Sequence, residues 1–159
     1  MSDGNIVIRL ASEADARGIL ECLASSFEPY RTSYTPDAYL DTVLTAATIA
    51  QRLQSMQVLV AVAADEQVIG TIACAMSDVA EGHLRGMAVQ PEWQGQGVAE
   101  KLLRAAEAEL VKQGCSRVTL DTTEPLLRAM RFYESHGYRR SGKTTDFFGM
   151  TLHEFRKDL

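Results

Sequence analysis

The stretch Leu84 to Lys112 constrains this chain more than any other. An apolar run, Met87-Ala88-Val89, ends at a turn marked by Pro91. The loop Gln94-Gly95-Gln96-Gly97-Val98-Ala99 then opens directly into a helix-forming segment. A helix that starts in such a loop presents unpaired backbone N–H groups and the positive end of its dipole. Both favour a bound phosphate or pyrophosphate. Strand, glycine loop, helix and next strand in that order make the two strands parallel neighbours, joined by a right-handed crossover.

The length of 159 residues suits one domain, 1–159, with its own core. Sixteen basic and 21 acidic residues leave a formal net charge of -5, which argues against a nucleic-acid partner. Cys22, Cys74 and Cys115 are isolated, so no disulfide framework is implied and a reducing cytoplasm fits. The three histidines and three cysteines show no metal spacing, so no metal is expected. No basic-apolar leader opens the chain, and no apolar run approaches the ~18 residues of a membrane span. The expectation is a soluble, cytoplasmic protein with no membrane partner.

The flanking segments supply the rest of a sheet. Ile6–Leu10 reads as a strand, and Ser12 starts a helix striped by Ala16, Ile19, Leu20, Leu23 and Phe27. Pro29 stops that helix, and Glu28–Thr35 reads as a loop. Thr35-Pro36-Asp37 restarts helical structure, which breaks near Thr45–Thr48 and resumes through Ile49, Leu53 and Met56. Val58–Ala63, Val68–Met76 and Gly82–Val89 form an antiparallel meander. Val98, Leu102, Leu103, Ala106 and Leu110 stripe the helix after the glycine loop, Gly114 ends it, and Arg117–Asp121 is the next strand. A second helix follows Pro125 and closes at Gly137. Tyr138–Ser141 and Phe147–Phe155 read as two final strands, separated by Gly142 and the polar run Lys143–Asp146. The fold class is α/β (α+β in some schemes), with six or seven strands and helices on both faces.

Two phosphate-binding readings fail on context. A dinucleotide fingerprint needs a third glycine where Glu100 stands, and it does not follow three antiparallel strands. A Walker loop needs Gly-Lys-Ser/Thr, which is absent. Gln94-Gly95-Gln96-Gly97-Val98-Ala99 instead resembles the Q/R-x-x-G-x-G/A motif of the GNAT acyltransferases. Met87-Ala88-Val89-Gln90-Pro91-Glu92 resembles the end of that family's fourth strand. Ala129-Met130-Arg131-Phe132-Tyr133-Glu134-Ser135-His136-Gly137-Tyr138 resembles its A-x-x-F/L-Y-E-x-x-G-F/Y segment, about 30 residues on.

The resemblance implies a mostly antiparallel sheet splayed between strands four and five, and acetyl-CoA as acyl donor. Backbone N–H groups of Gly95, Gln96, Gly97, Val98 and Ala99, with Gln94 opening the loop, would cradle the pyrophosphate. Met87 and Val89 would pair with the pantetheine arm, and a backbone N–H near Met87 or Ala88 would polarise the thioester carbonyl. Tyr133, which spacing alone would make a core residue, becomes the proton donor to the departing thiolate. Glu81 or His83, two apart on one strand face, or water held by them, would take the amine's proton; Asp121 is a weaker candidate. Leu126 departs from the family's pattern, standing where many members carry an Asn that reaches the pantetheine.

Tyr30, Arg31, Tyr34, Tyr39 and Asp41 are candidates for the acceptor pocket, with the aromatics covering a core edge as the alternative. The acids Glu28, Asp37 and Asp41 favour a cationic amine or peptide N-terminus. Trp93, His136 and His153 read as surface residues. The implied activity is acetyl transfer to a primary amine by direct attack, since no cysteine matches a nucleophile motif. The alternative is a CoA-binding sensor or partner module that turns nothing over; a homodimer is the family-level expectation.

Overall fold

A computed structural model of the chain describes residues 5–159. Seven strands form one sheet, β1 (Val7–Leu10), β2 (Gln57–Val62), β3 (Val68–Asp78), β4 (Glu81–Val89), β5 (Arg117–Thr123), β6 (Arg139–Phe147) and β7 (Met150–Asp158). Their spatial order is β1-β2-β3-β4-β5-β7-β6. Every neighbouring pair is antiparallel except β4 and β5. Five helices accompany it: α1 (Ala16–Phe27), α2 (Pro36–Val43), α3 (Ala46–Ser55), α4 (Val98–Lys112) and α5 (Leu127–Ser135).

The helices divide between the two faces as their apolar stripes require. Val98, Leu102, Leu103, Ala106 and Leu110 of α4 are all at most 1% exposed, against Ile69, Ile72, Cys74, Leu84 and Val118 of the sheet. Burying a leucine side chain to this degree stabilises the fold by about 1.5–3 kcal/mol. On the other face Ile19, Cys22 and Leu23 of α1 and Ile49 of α3 pack on Val58, Val60 and Ala73. Among the described residues, no helix is long and apolar enough to cross a membrane.

Local chemistry sets the element ends. Asp15 accepts from the Ser12 backbone N–H at 2.8 Å and takes both Arg9 guanidinium nitrogens at 2.8 and 3.0 Å, which fixes the entry to α1. Pro29 does not stop the winding: Glu28–Ser33 continues as a 3-10 turn, where a proline in the first turn loses no bond. Thr35 and Thr45 cap α2 and α3 through their hydroxyls.

The last hairpin corrects the sequence reading. Gly142 and Lys143–Asp146 lie inside β6, and the turn falls later, at Phe148-Gly149, with φ of 51° and 89°. Residues with φ above zero at both positions make the tight turn that matches strand twist. The polar run is tolerated in a strand because β6 is an exposed edge, and Gly142 sits where the β6–β7 register slips between Arg140 and Thr144.

A second register slip shapes the site. Ala73 of β3 faces Arg85, and Thr71 faces Ala88, so β4 carries one extra residue at Gly86-Met87. Gly86 has φ of +68°. The insertion reverses the alternation: Leu84 faces α4, whereas Ala88, at the same parity, faces α1.

Candidate active site

Strands β4 and β5 pair only from Glu81–Leu84 to Arg117–Leu120. Beyond that point the bulge bends β4, and its edge from Arg85 to Val89 has no strand partner on the β5 side. The opening leads into a cavity of about 750 Å³ lined by the separated strand ends, the glycine loop, α5 and the α1–α2 connection.

At one end stands the start of α4. Gly95 and Gly97 have φ of +79° and +84° and line the cavity, and a Cβ on either would meet no protein atom within 4 Å. The space over them is therefore cavity, not core. Gly97 is the N-cap of α4 and supplies no side chain to the free N–H groups, which remain available to a ligand. Gln94 Nε2 donates to Val89 O at 3.0 Å, tying the loop to the end of β4, and its Oε1 accepts from Arg128 Nη1 at 3.2 Å. Arg128 thus brings a cation to the cavity wall. Gln96 lies outside the lining, its side chain donating back to Glu92 O at 3.0 Å. Val98 and Ala99 line the cavity beside the two glycines, and Met87, Ala88 and Val89 line it on β4.

Tyr133 projects from α5 into this cavity and is 6% exposed. Its ring meets Phe132 and Tyr138 edge-on, with centroids 5.3 and 5.6 Å away. Burial alone pushes its phenol well above the ordinary value. Tyr138 anchors this packing by donating to Glu107 Oε2 at 2.6 Å, which Lys157 also holds. The Thr122 hydroxyl of β5 is buried at the cavity wall without a hydrogen-bond partner among the described residues. Buried hydroxyls are rarely left so, which marks it as free for a ligand.

At the other end His83 of β4 meets β5. Its Nδ1 lies 2.8 Å from Thr119 Oγ1, and its Nε2 lies 3.6 Å from Asp121 Oδ2. Burial lowers the imidazole's pKa, against the opposing pull of Asp121, and burial raises the Asp121 carboxyl. A neutral imidazole beside a carboxylate can accept a proton, and the carboxylate then stabilises the charge. Glu81 shares the strand face of His83 but is held by Arg117 Nε at 2.7 Å and lies outside the cavity lining. Asp121, ranked below Glu81 on sequence grounds, takes the position beside His83.

Tyr30 and Tyr34 line the cavity, and the Tyr34 hydroxyl hydrogen-bonds with Thr123 Oγ1 at 2.7 Å. Asp41 lines the cavity too, whereas Arg31 and Tyr39 do not join them. Arg31 is exposed, 3.5 Å from Glu28 and stacked over Tyr39. Three surface assignments also need correction. Trp93 is half-buried against the core and lines the cavity, as does His136, whose Nδ1 lies 2.9 Å from Phe132 O. His153 is 17% exposed at its side chain and sits 3.4 Å from Glu124. Arg52, Arg85 and Arg128 also line the cavity, and no local motif marks them.

The sequence matches the profile of the acetyltransferase (GNAT) family over residues 18–138. Over 88 residues the chain is 36% identical to N-acetylaspartate synthetase of Danio rerio, covering 54% of this chain and 31% of that protein. Over 85 residues it is 34% identical to N-acetyltransferase 8B of Homo sapiens, covering 50% of this chain and 37% of that one. These matches thus span about a third of each relative. PaiA N-acetyltransferase from Thermoplasma acidophilum, solved in complex with coenzyme A, aligns with a TM-score of 0.78 and 21% identity over 100% of both chains. Ard1 from Thermoplasma volcanium aligns with a TM-score of 0.78 and 19% identity over 98% of each. With the profile matched over most of its length, and with strands that part beside a glycine-opened helix, the chain belongs to the acetyltransferase (GNAT) family.

Proposed function

We propose that this protein transfers an acetyl group from acetyl-CoA to a primary amine, by direct attack within a ternary complex. The observation that carries this is the single cavity joining the start of α4 to the His83–Asp121 pair through the gap between β4 and β5. The relatives' names, and the coenzyme A held by the Thermoplasma acidophilum protein, support the donor and the reaction class.

In this reading the backbone N–H groups from Gly95 to Ala99 hold the pyrophosphate, with Arg128 adding a cation. The unpaired edge of β4 takes the pantetheine arm as an added strand through Met87 and Val89. The Thr122 hydroxyl finds its missing partner in that arm, which offsets the loss at Leu126 of a polar contact. The bulge at Gly86-Met87 turns a backbone N–H toward the thioester oxygen.

His83 Nε2 takes a proton from the acceptor ammonium while Nδ1–H donates to Thr119 Oγ1. The free amine attacks the thioester carbon, the C–S bond breaks, and Tyr133 gives its proton to the leaving sulfur. Water takes the second proton from the newly acylated nitrogen and returns one to Tyr133, and it also accepts the proton held on His83. A cysteine nucleophile is disfavoured, because burial pushes the Cys22 thiol up to about 12 and Cys74 up to about 11.

Incubation with acetyl-CoA and a panel of amines tests the reading: CoA thiol should appear together with the acetylated amine. The pH profile tests His83. As base it must be neutral, and burial holds it below the ordinary value of about 6.5, against Asp121, Glu154 and Glu81 and with Arg85. The acidic limb of kcat/KM should therefore inflect below about pH 6.5 and vanish in His83→Gln. A limb that survives that substitution would remove His83 from the role.

A further inference from the structure

The acids near the acceptor end are all engaged or turned away. Glu28 lies beside Arg31 on the surface, Asp37 is outside the cavity lining, and Asp41 lies 3.3 Å from Arg85. Arg52 is different. Its guanidinium lines the cavity, yet among the described residues it makes no hydrogen bond and no ion pair of its own. A guanidinium carries five N–H donors, and leaving them unmet in a partly buried position is costly.

The backbone makes room for this cation at the bulge itself. A Cβ on Gly86 would lie 2.6 Å from Arg52 Nη1, so glycine at that position both allows the φ of +68° and admits the guanidinium. Burial and the nearby charge of Arg85 lower the Arg52 pKa to about 10, with Asp41 only partly opposing. The acceptor end therefore has two poles: the surplus positive charge of Arg52 beside the Arg85–Asp41 pair, and the proton-accepting pair His83 and Asp121.

We infer that Arg52 and Arg85 form a carboxylate site, so that the acceptor is an amine that also carries a carboxylate, as a free amino acid does. This rests on the acyl-transfer reading for its chemistry but not for its binding. The ammonium faces His83 and Asp121, and the carboxylate takes the unmet donors of Arg52 in the two-toothed geometry that guanidinium favours. A diamine or polyamine would set its second charge against Arg52 and the Arg85–Asp41 pair, a group of net positive charge. A carboxylate on the acyl chain is the other source of the same chemistry.

The test compares free amino acids with their carboxamides on the wild type, Arg52→Gln, Arg52→Lys and Arg85→Gln. Calorimetry on the CoA-saturated protein reads binding without turnover, and thiol release with acetyl-CoA or succinyl-CoA reads transfer. Free acids should bind at least about thirtyfold more tightly than carboxamides, the loss expected when one partner of a buried charge pair is removed. Arg52→Gln should abolish that ratio, and Arg52→Lys should restore part of it, with CoA affinity unchanged and the thermal midpoint not lowered.

Equal binding of acids and carboxamides, or an equal loss of both in Arg52→Gln, would overturn the inference. So would an Arg52-dependent preference for succinyl-CoA with no discrimination among acceptors. Arg52-dependent binding of acids without thiol release would keep the site and remove the acyl-transfer reading. Release with neutral amines that ignores Arg52 would do the reverse.

Discussion

Tyr133→Phe is expected to lower kcat about 10²- to 10³-fold while changing acetyl-CoA affinity by less than about twofold. The ring packs edge-on against Phe132 and Tyr138 and would stay in place without its hydroxyl. Burial is the sole cause raising this phenol, so no protein hydrogen bond is lost and the folding cost is small. What the substitution removes is the proton given to sulfur as the C–S bond breaks. A phenol held above its usual value suits a proton donor, because it stays protonated across the working range. Pre-steady-state thiol release and a CoA titration on the same preparation separate the two effects. An equal loss of rate and affinity would make Tyr133 a binding residue instead.

Gly97→Val should act in the opposite way, weakening acetyl-CoA binding about 10- to 100-fold, the cost of spoiling one or two hydrogen bonds to a charged group. At φ of +84° a valine carries left-handed strain of roughly 1–2 kcal/mol. That strain should lower the thermal midpoint by roughly 2–8 °C for a chain of this size. Its Cβ would meet no protein atom within 4 Å, so any larger loss of binding comes from the ligand side. The added methyl groups occupy the space in front of the α4 N–H groups, where the pyrophosphate is proposed to sit. Calorimetry with acetyl-CoA reads the affinity, and retained cooperative melting shows that the variant folds. Unchanged affinity in a folded variant would place the phosphates elsewhere.

These two residues are legible in the sequence because each belongs to a local pattern. The glycine loop and the α4 stripe lie within 17 residues of one another, and periodicity alone places Leu102, Leu103 and Leu110 in the core. The acceptor end is less legible because it is built across distant segments. His83 meets Asp121 only because β4 and β5 run parallel in one register, and nothing near Asp121 in sequence distinguishes a cavity residue from a strand end. Arg52 reaches the site from the last turn of α3, and Gly86 admits it only because a bulge reverses the face of β4. Glu81 and Arg31 carry plausible charges, but each finds a partner on the protein, Arg117 and Glu28. The final hairpin escapes a composition-based reading for a related reason: polar residues on an exposed edge strand look like a turn.

One cavity, open between β4 and β5, is proposed to hold acetyl-CoA and an amine together for direct transfer. A single-turnover reaction tests this most directly. The protein in excess over acetyl-CoA is mixed with an amine panel that includes free amino acids, while free thiol and acetylated amine are followed together. Direct attack predicts that thiol and acetylated amine appear at the same rate, only when the amine is present, and that no acetyl group is carried on the protein. Thiol released ahead of the amide, with acetyl retained on the polypeptide, would contradict direct attack. Tight binding of acetyl-CoA with no thiol from any amine would contradict transfer itself.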